Sequence, residues 1–501
     1  MKCPSSILIL VLFPLGCDGN LSGGTPTDGP TQTGDRHFAE GFIPGGDGPG
    51  LLDGVPGVDS KTPPAPAQLP TFVQLDWAAF PKDPGPAYAV TGKTWVVKTT
   101  GSDSNPGTDA SPLRHITAAL SKASGGDKIV VHGGSYSEST TDDFRALVIK
   151  KALVLTAAAG ATVTVTSSET YGIAIESSNV VVNGINLSGF TYGIQIGSSS
   201  GQKNVVISNL TITGQGDAEG IVAYDSGGSA VSDGLLIKNV KVKNAWLGIS
   251  CNSGPCRSWR LENVLVDGGG GSGSGADAIA VENGDNFLFY GVETTGVAAD
   301  GIDTKATRVV VWSCHVHNVE RNGVKLWHGG DVVNTLIHHT GADASVVTET
   351  GPKTRLLHSV VAYHEKGGGS GYGMTFGYDS QANQAVELIN TIVYNNNGGI
   401  YINGASTVKL ENSLFFGIDN GMVVQTSAGD VYLSQGVAAL AKFGAGNIIA
   451  DPKVSSSFHL QSGSPGINKA KTLSTQYPTS DMAGNARVKG AAPDLGPYED
   501  F

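Results

Sequence analysis

The chain has 501 residues, with 32 Lys and Arg against 44 Asp and Glu and a formal net charge of −12. A nucleic-acid partner would call for a basic face, so that class is excluded, and a polyanion would have to be met through cations or a local basic patch. Glycine supplies 71 residues and charged residues only 15%, a balance that suits an extracellular all-β protein.

The N-terminus reads as an export signal over residues 1–17: Lys2 is the positive start, and ILILVLFPLGC is an apolar run ending at Cys17. The run is too short to cross a membrane as a permanent helix. A small residue followed by Cys17 is similar to a bacterial lipobox, with Pro14 where that motif prefers Leu. This implies a lipid on Cys17 as the only membrane contact, with an ordinary cleaved signal peptide as the alternative. Either way the protein works outside the cytoplasm, at the cell surface or secreted. Residues 18–92 are rich in Gly, Pro, Thr and Asp. They bury too little apolar surface to fold, so a flexible tether is expected.

A helical stretch is expected after "ASP" at residues 110–112, inside residues 95–138, where it would cap a solenoid's first edge. From Gly172 onward a short phrase recurs: GIAIE at Gly172, GIQIG at Gly193, GIVAY at Gly220, GISCN at Gly248 and AIAVE at Ala278. It continues as GIDTK at Gly301, GVKLW at Gly323, GMTFG at Gly373, GIYIN at Gly399 and GMVVQ at Gly421. The spacings are 21 to 30 residues, with one gap of 50 that equals two units. Such a quasi-period marks a solenoid. Each unit carries a second alternating run, such as NVVISNLTI or TVKLENSLF, and no helical period intervenes. Short units made only of strands and turns fit a parallel β-helix over residues 93–450. Residues 451–501 then form a closing segment. Asn209, Asn239, Asn390 and Asn412 recur inside the second run, and stacked Asn side chains can hydrogen-bond along a solenoid. Asn239, Asn390 and Asn412 stand nine residues before the phrase glycine, and Cys314 holds the same slot.

Among the cysteines, Cys251 and Cys256 flank the turn sequence NSGP, so a local disulfide is expected outside the cytoplasm. Cys314 is left over, buried and inert.

Side chains alternate along a strand. The first and third residues after each phrase glycine are mostly aliphatic and face the core, so the second faces out. That outward column holds only two charges, Asp303 and Lys325, in consecutive turns. Strands of adjacent turns lie about 4.8 Å apart, which makes the pair neighbours. The same bookkeeping stacks Asp277, Asp300 and Asn322 in the column before the glycine, and Glu282, Lys305 and Trp327 in a later one.

At these residues the chain resembles the right-handed parallel β-helix polysaccharide lyases, most closely pectate-lyase family 9. That family carries a phrase like DDGWD for calcium and one like NGFKLGG for a base lysine. ADGIDTK and NGVKLWHGG match in part. The resemblance implies Ca²⁺ as cofactor, Asp300, Asp303 and Asp277 as its ligands, and Lys325 as the catalytic base. Ala299 replaces the first Asp of the family pair. Residues 95–138 resemble the entry module of secreted β-helices, and the C-terminal segment resembles their closing segment.

A polyuronate lyase removes a proton next to a carboxylate and expels the glycosidic oxygen. Ca²⁺ can neutralise the charge that builds on that carboxylate. Lysine serves as base if a nearby cation lowers its pKa. The alternative for Asp303 and Lys325 is a surface ion pair worth well under about 1 kcal/mol. Lys305, Arg308, Arg321 and Lys325 outnumber Glu320 between residues 305 and 328, a patch suited to substrate carboxylates. Lys305, Arg321, Trp327 and His328 are the candidate substrate contacts, and Trp327, Tyr378 and Tyr401 are outward aromatics able to stack on sugars. His315 and His317 share a strand face, and His338 and His339 follow. A zinc site needs three or four converging ligands, and convergence is not visible in the sequence.

The expected function is a monomeric lyase acting on an acidic polysaccharide. An uronate epimerase or a glycoside hydrolase on the same scaffold is the alternative, as is a non-catalytic glycan-binding or adhesive surface protein.

Overall fold

A computed structural model describes residues 75–81, 88 and 90–501, apart from 142–143, 198–200, 224–231, 253, 269–276, 342–343, 365–370, 378–383, 405, 428 and 474–478. The export signal, Cys17, most of the tether and Tyr378 lie outside the described residues. The architecture is an all-β parallel solenoid. Each turn contributes one strand to each of three parallel sheets. The first sheet is the phrase sheet, paired turn on turn from Arg145–Ile149 to Met422–Gln425. The strand Ala344–Thr348 fills the 50-residue gap between phrases.

Inward alternation produces the core. Ile302, Val324 and Leu326 are fully buried, as the pleat requires. In the second sheet Leu235, Trp259, Phe287 and Val309 stand in register and fill the interior.

The bend between the second and third sheets explains the recurring asparagines. Gly184, Asn209, Asn239, Asn263, Gly291, Ser313, Asn334, His358, Asn390 and Asn412 occupy this corner, all with positive φ. Asn tolerates that left-handed conformation better than most L-residues. Its amides also form a ladder: Asn209, Asn239 and Asn263 donate through Nδ2 to Oδ1 of Asn183, Asn209 and Asn239 at 2.7, 2.8 and 2.8 Å. The slot assigned to Cys314 is corrected by one residue. Ser313 makes the bend (φ 51°), while Cys314 points into the core, where burial pushes its thiol up to about 12. Replacing Asn239 by Val is expected to cost about 2–4 kcal/mol, because a branched residue enters the left-handed region and two hydrogen bonds go. Asn239→Gly keeps the conformation and should cost about 1 kcal/mol. Equal losses in denaturant titrations of the two variants would show that conformation is not what selects Asn here.

Cys251 and Cys256 form the expected disulfide. A helix does follow "ASP", at Ile116–Lys122. Glu138 accepts from the backbone N–H groups of Ile116 (2.8 Å) and Thr117 (3.1 Å) at its start. Its Ile116, Ala119 and Leu120 join the main core.

Two outer layers were less legible. Residues 75–80, placed in the tether by composition, fold onto the outside of the second sheet. Leu75 and Phe80 bury against Leu288, Val310 and Trp312. Asp76 and Asn286 exchange hydrogen bonds of 2.8 and 3.0 Å. The apolar residues of LDWAAF, residues 75–80, supply the surface for this. The closing segment runs back along the solenoid's flank. Phe458, Leu460 and Leu495 cover the outward residues Leu336, Val360 and Ile392 of the third sheet, and Lys469 and Lys471 satisfy the corner residues Asn412 and Asn390 through their carbonyls.

Candidate active site

Glycine recurs at or near the start of the first-sheet strands because the turns stack closely there. A Cβ on Gly301 would lie 2.6 Å from the Gly323 carbonyl oxygen, and one on Gly323 2.6 Å from that of Ser345. Small side chains do occupy this column, at Ala278 and Ser345.

The column before the glycine forms a ladder. Oδ1 of Asp277 accepts from the Asp300 N–H at 2.9 Å, Oδ1 of Asp300 from the Asn322 N–H at 2.9 Å, and Oδ1 of Asn322 from the Ala344 N–H at 3.0 Å. These residues therefore serve the backbone as well as any ligand. Asn322 Nδ2 adds a further bond to Asp300 Oδ1, at 2.8 Å.

Asp303 and Lys325 are register partners on the outward face. The Lys325 ammonium lies 3.3 Å from Asp300 Oδ2 and 3.2 Å from Asp303 Oδ2. Trp327 Nε1 donates to Asp303 Oδ1 at 2.6 Å, and its ring centroid stands 4.7 Å from Lys325 Nζ. Lys305 pairs with Glu282 and faces the same ring at 5.3 Å. Asp277, Asp300, Asp303, Lys305, Lys325 and Trp327 are thus one cluster spread over three turns.

Its electrostatics follow from burial. Asp277 is pushed up to about 7 by burial and then by the Asp300 charge. Asp303 is raised by burial, against the opposing pull of Lys325. Burial alone would lower Lys325, but the carboxylates of Asp303 and Asp300 outweigh it and hold the ammonium above the ordinary lysine value. This is opposite in sign to the lowered pKa expected of a base. Ala299, where the family has Asp, is buried.

Arg321 and His328 are exposed. His328 Nδ1 contacts Thr350 Oγ1 at 3.0 Å and lines a groove with Thr307, Arg308, Gly330, Lys353 and Arg355. Arg355 and Lys353 belong to later turns, so the patch read from residues 305–328 missed them. Their charges are met by acids: Arg308 by Asp285, Lys353 by Glu387 at 2.7 Å, and Arg355 by Asp331 at 2.6 Å. Tyr401 stacks on Tyr372 of the preceding turn (4.9 Å, 24°).

Residues 192–361 and 257–437 match the model of the right-handed β-helix region. This is a right-handed β-helix protein. Residues 99–156 match a family described as a protein of unknown function, DUF1565. No curated protein matches the chain. Among solved structures, pectate lyase Pel9A aligns over 82% of this chain and 97% of its own at 14% identity and TM-score 0.44. XylC in complex with xylose aligns over 81% and 98% at 10% identity and TM-score 0.42. The mannuronan C-5 epimerase AlgE6 A-module of Azotobacter vinelandii aligns over 67% and 92% at 13% identity and TM-score 0.40.

This β-helix protein also gathers the histidines that spacing left apart. One ring nitrogen from each of His315, His317 and His338 lies within 4.8 Å of the others on the third sheet. Burial holds His315 and His338 well below the ordinary histidine value. Among the described residues no helix is long and apolar enough to cross a membrane.

Proposed function

We propose that the protein is a polysaccharide lyase that cleaves an acidic, uronic-acid polymer by Ca²⁺-assisted β-elimination. The observation that carries this reading is the Lys325 ammonium held between Asp300 and Asp303 on an outward sheet face, beside a tryptophan, where the partial match to ADGIDTK and NGVKLWHGG falls. The residues fit Ca²⁺ in donor type: Asp277, Asp300 and Asp303 are hard oxygen ligands, and burial first, then the Asp300 charge, raises Asp277, so a cation there would be met by a carboxyl lacking counter-charge. Bound there, the ion would neutralise the charge that develops on the substrate carboxylate.

The chain's own groups do the rest. Asp300 and Asp303 would hold the ion and would then cease to be counter-charges for Lys325, which would remove the cause of its raised pKa. Lys325 then takes the proton from the carbon next to the carboxylate. The electron pair of that C–H bond becomes a C=C bond as the adjacent carbon–oxygen bond to the next sugar breaks, and the leaving oxygen takes a proton from solvent. Trp327 fixes Asp303, while Lys305, Arg321 and His328 meet substrate carboxylates. In this proposal the stretch before Leu75 anchors and spaces the domain outside the cytoplasm, the helix Ile116–Lys122 shields the first turn, and the enzyme acts as a monomer.

The test is ultraviolet absorbance of the unsaturated product across a panel of polyuronates, with and without chelator. No unsaturated product from any member would end the lyase reading. A second reading has one observation in its favour: a carboxyl with a pKa near 7, Asp277, is what a hydrolase's general acid requires. New reducing ends without absorbance, unaffected by chelator, would select it.

Ca²⁺ binding should depend on pH. Protons compete for Asp277 below about 7, so affinity is expected to fall several-fold from about pH 8 to about pH 6, with proton release on binding at the lower value. Calorimetry in two buffers of different ionisation heat measures both. Affinity independent of pH would remove Asp277 from the ligand set.

A further inference from the structure

A second cluster of titratable side chains stands on the outward face of the third sheet. Glu293 faces His315 in register, and His317 faces His338 one turn on. His315 Nε2 lies 2.7 Å from His338 Nε2, and Glu293 Oε1 lies 3.1 Å from His317 Nε2. All four residues are more than nine-tenths buried. Glu293 Oε2 and His315 Nδ1 are buried without a hydrogen-bond partner. A carboxylate taken out of water needs a counter-charge. Among the described residues no lysine or arginine pairs with Glu293, whose ionic partner is His317.

We propose that Glu293, His315, His317 and His338 form a closed structural Zn²⁺ site that staples three successive turns beneath the closing segment. The three imidazoles converge within 4.8 Å, and Glu293, 3.1 Å from His317, is the acid that would turn in as fourth ligand and leave no position for water, the pattern of structural rather than catalytic zinc. Ligand atoms around zinc stand about 3.3 Å apart for bonds of about 2.0–2.1 Å, so small ring rotations admit the ion.

The surroundings support the site. Bound histidines have their second nitrogen fixed by an outer partner. Here His338 Nδ1 meets His339 Nδ1 at 2.6 Å, and His317 Nδ1 meets the Asn318 side-chain amide at 2.9 Å. The Phe458 ring covers His338 at 4.5 Å. The backbone is strained at the same place. The corner after the third sheet is Gly296 and Asn318 in the site's first two turns, but His339 (φ 49°) in its third and Tyr363 (φ 54°) in the turn that follows. Their rings stack at 4.8 Å. Bulky residues in that region cost energy and concentrate at functional sites.

The test uses the untagged full-length chain, stripped with chelator and titrated with Zn²⁺ and, separately, Co²⁺. One equivalent of Zn²⁺, a raised melting temperature and the intense visible spectrum of four-coordinate Co²⁺ are expected. Binding should persist in an Asp300→Asn, Asp303→Asn variant, which separates this site from the Ca²⁺ ligands. No Zn²⁺ binding by the wild-type chain would overturn the proposal, as would full binding by a folded His315→Gln, His338→Gln variant. If that variant does not fold, Glu293→Gln decides, because it keeps the shape and the contact to His317. A loss of at least about tenfold in affinity supports the site, and unchanged affinity refutes it.

Discussion

Replacing Lys325 by Ala is expected to lower turnover of a cleavable polyuronate by about 10²-fold or more while the fold survives. Lys325 sits on the outward face, so its removal opens no core cavity. The stronger test is Lys325→Arg. A guanidinium preserves both contacts, to Asp300 and Asp303, yet stays protonated at any working pH. If Lys325 is the base, the Arg variant is as stable as the wild type and nearly inactive. If it is an ion-pair residue, both variants keep activity, and the base must be sought elsewhere, with Lys305 next in line. The pH profile adds an independent reading. Without Ca²⁺ the two carboxylates hold Lys325 above the ordinary lysine value. The ion pair therefore stabilises the fold at pH values below that of free lysine and is lost only as pH rises through the higher folded value. With Ca²⁺ bound the cause of the raised value is gone, and activity should rise with pH through a lower pKa. A profile identical in shape at low and saturating Ca²⁺ would contradict this coupling.

Trp259→Ala is expected to destabilise the solenoid by about 3–5 kcal/mol. The indole is fully buried, packs on Phe287 at 5.6 Å, and continues through Phe287 to Phe289 at 6.1 Å. Its register neighbours Leu235 and Phe287 are anchored by the turns before and after, so the gap cannot close by sliding one strand. Trp259→Phe keeps most of the apolar volume and should lose less than half as much. Denaturant unfolding followed by tryptophan-independent far-ultraviolet dichroism measures both. A loss under about 1 kcal/mol for the Ala variant would mean that this turn collapses around the cavity.

Much of the site was legible because the solenoid repeats and the strand period is two. Those facts suffice to put Asp303 and Lys325 on one face in adjacent turns, and Ile302, Val324 and Leu326 inside. They also stack Asp277, Asp300 and Asn322, though not their shared use of Oδ1 to accept the next turn's N–H. The offset at Cys314 arose because the corner is defined by backbone conformation. Asn and Gly advertise the left-handed region, whereas Ser313 does not. The groove residues Lys353 and Arg355 are not legible from residues 305–328 because they come from a later turn. The sign of the Lys325 shift was missed for a different reason. It depends on two carboxylates standing within 3.3 Å in the absence of a competing ion, a balance that spacing cannot weigh.

By itself the sequence determined the parallel β-solenoid, its sheet faces, the disulfide and the acid–lysine cluster. Each rests on a local periodicity or a turn signal repeated once per turn, and repetition converts local rules into stacking. Only the tertiary structure decided where the non-repeating segments lie. Residues 75–80 and the closing segment carry no period, and their places follow from which outward apolar patches of the solenoid remained to be covered. The histidine cluster belongs to this second class. Its residues come from three turns, and they converge through the register of the third sheet, with Phe458 of the closing segment laid against His338.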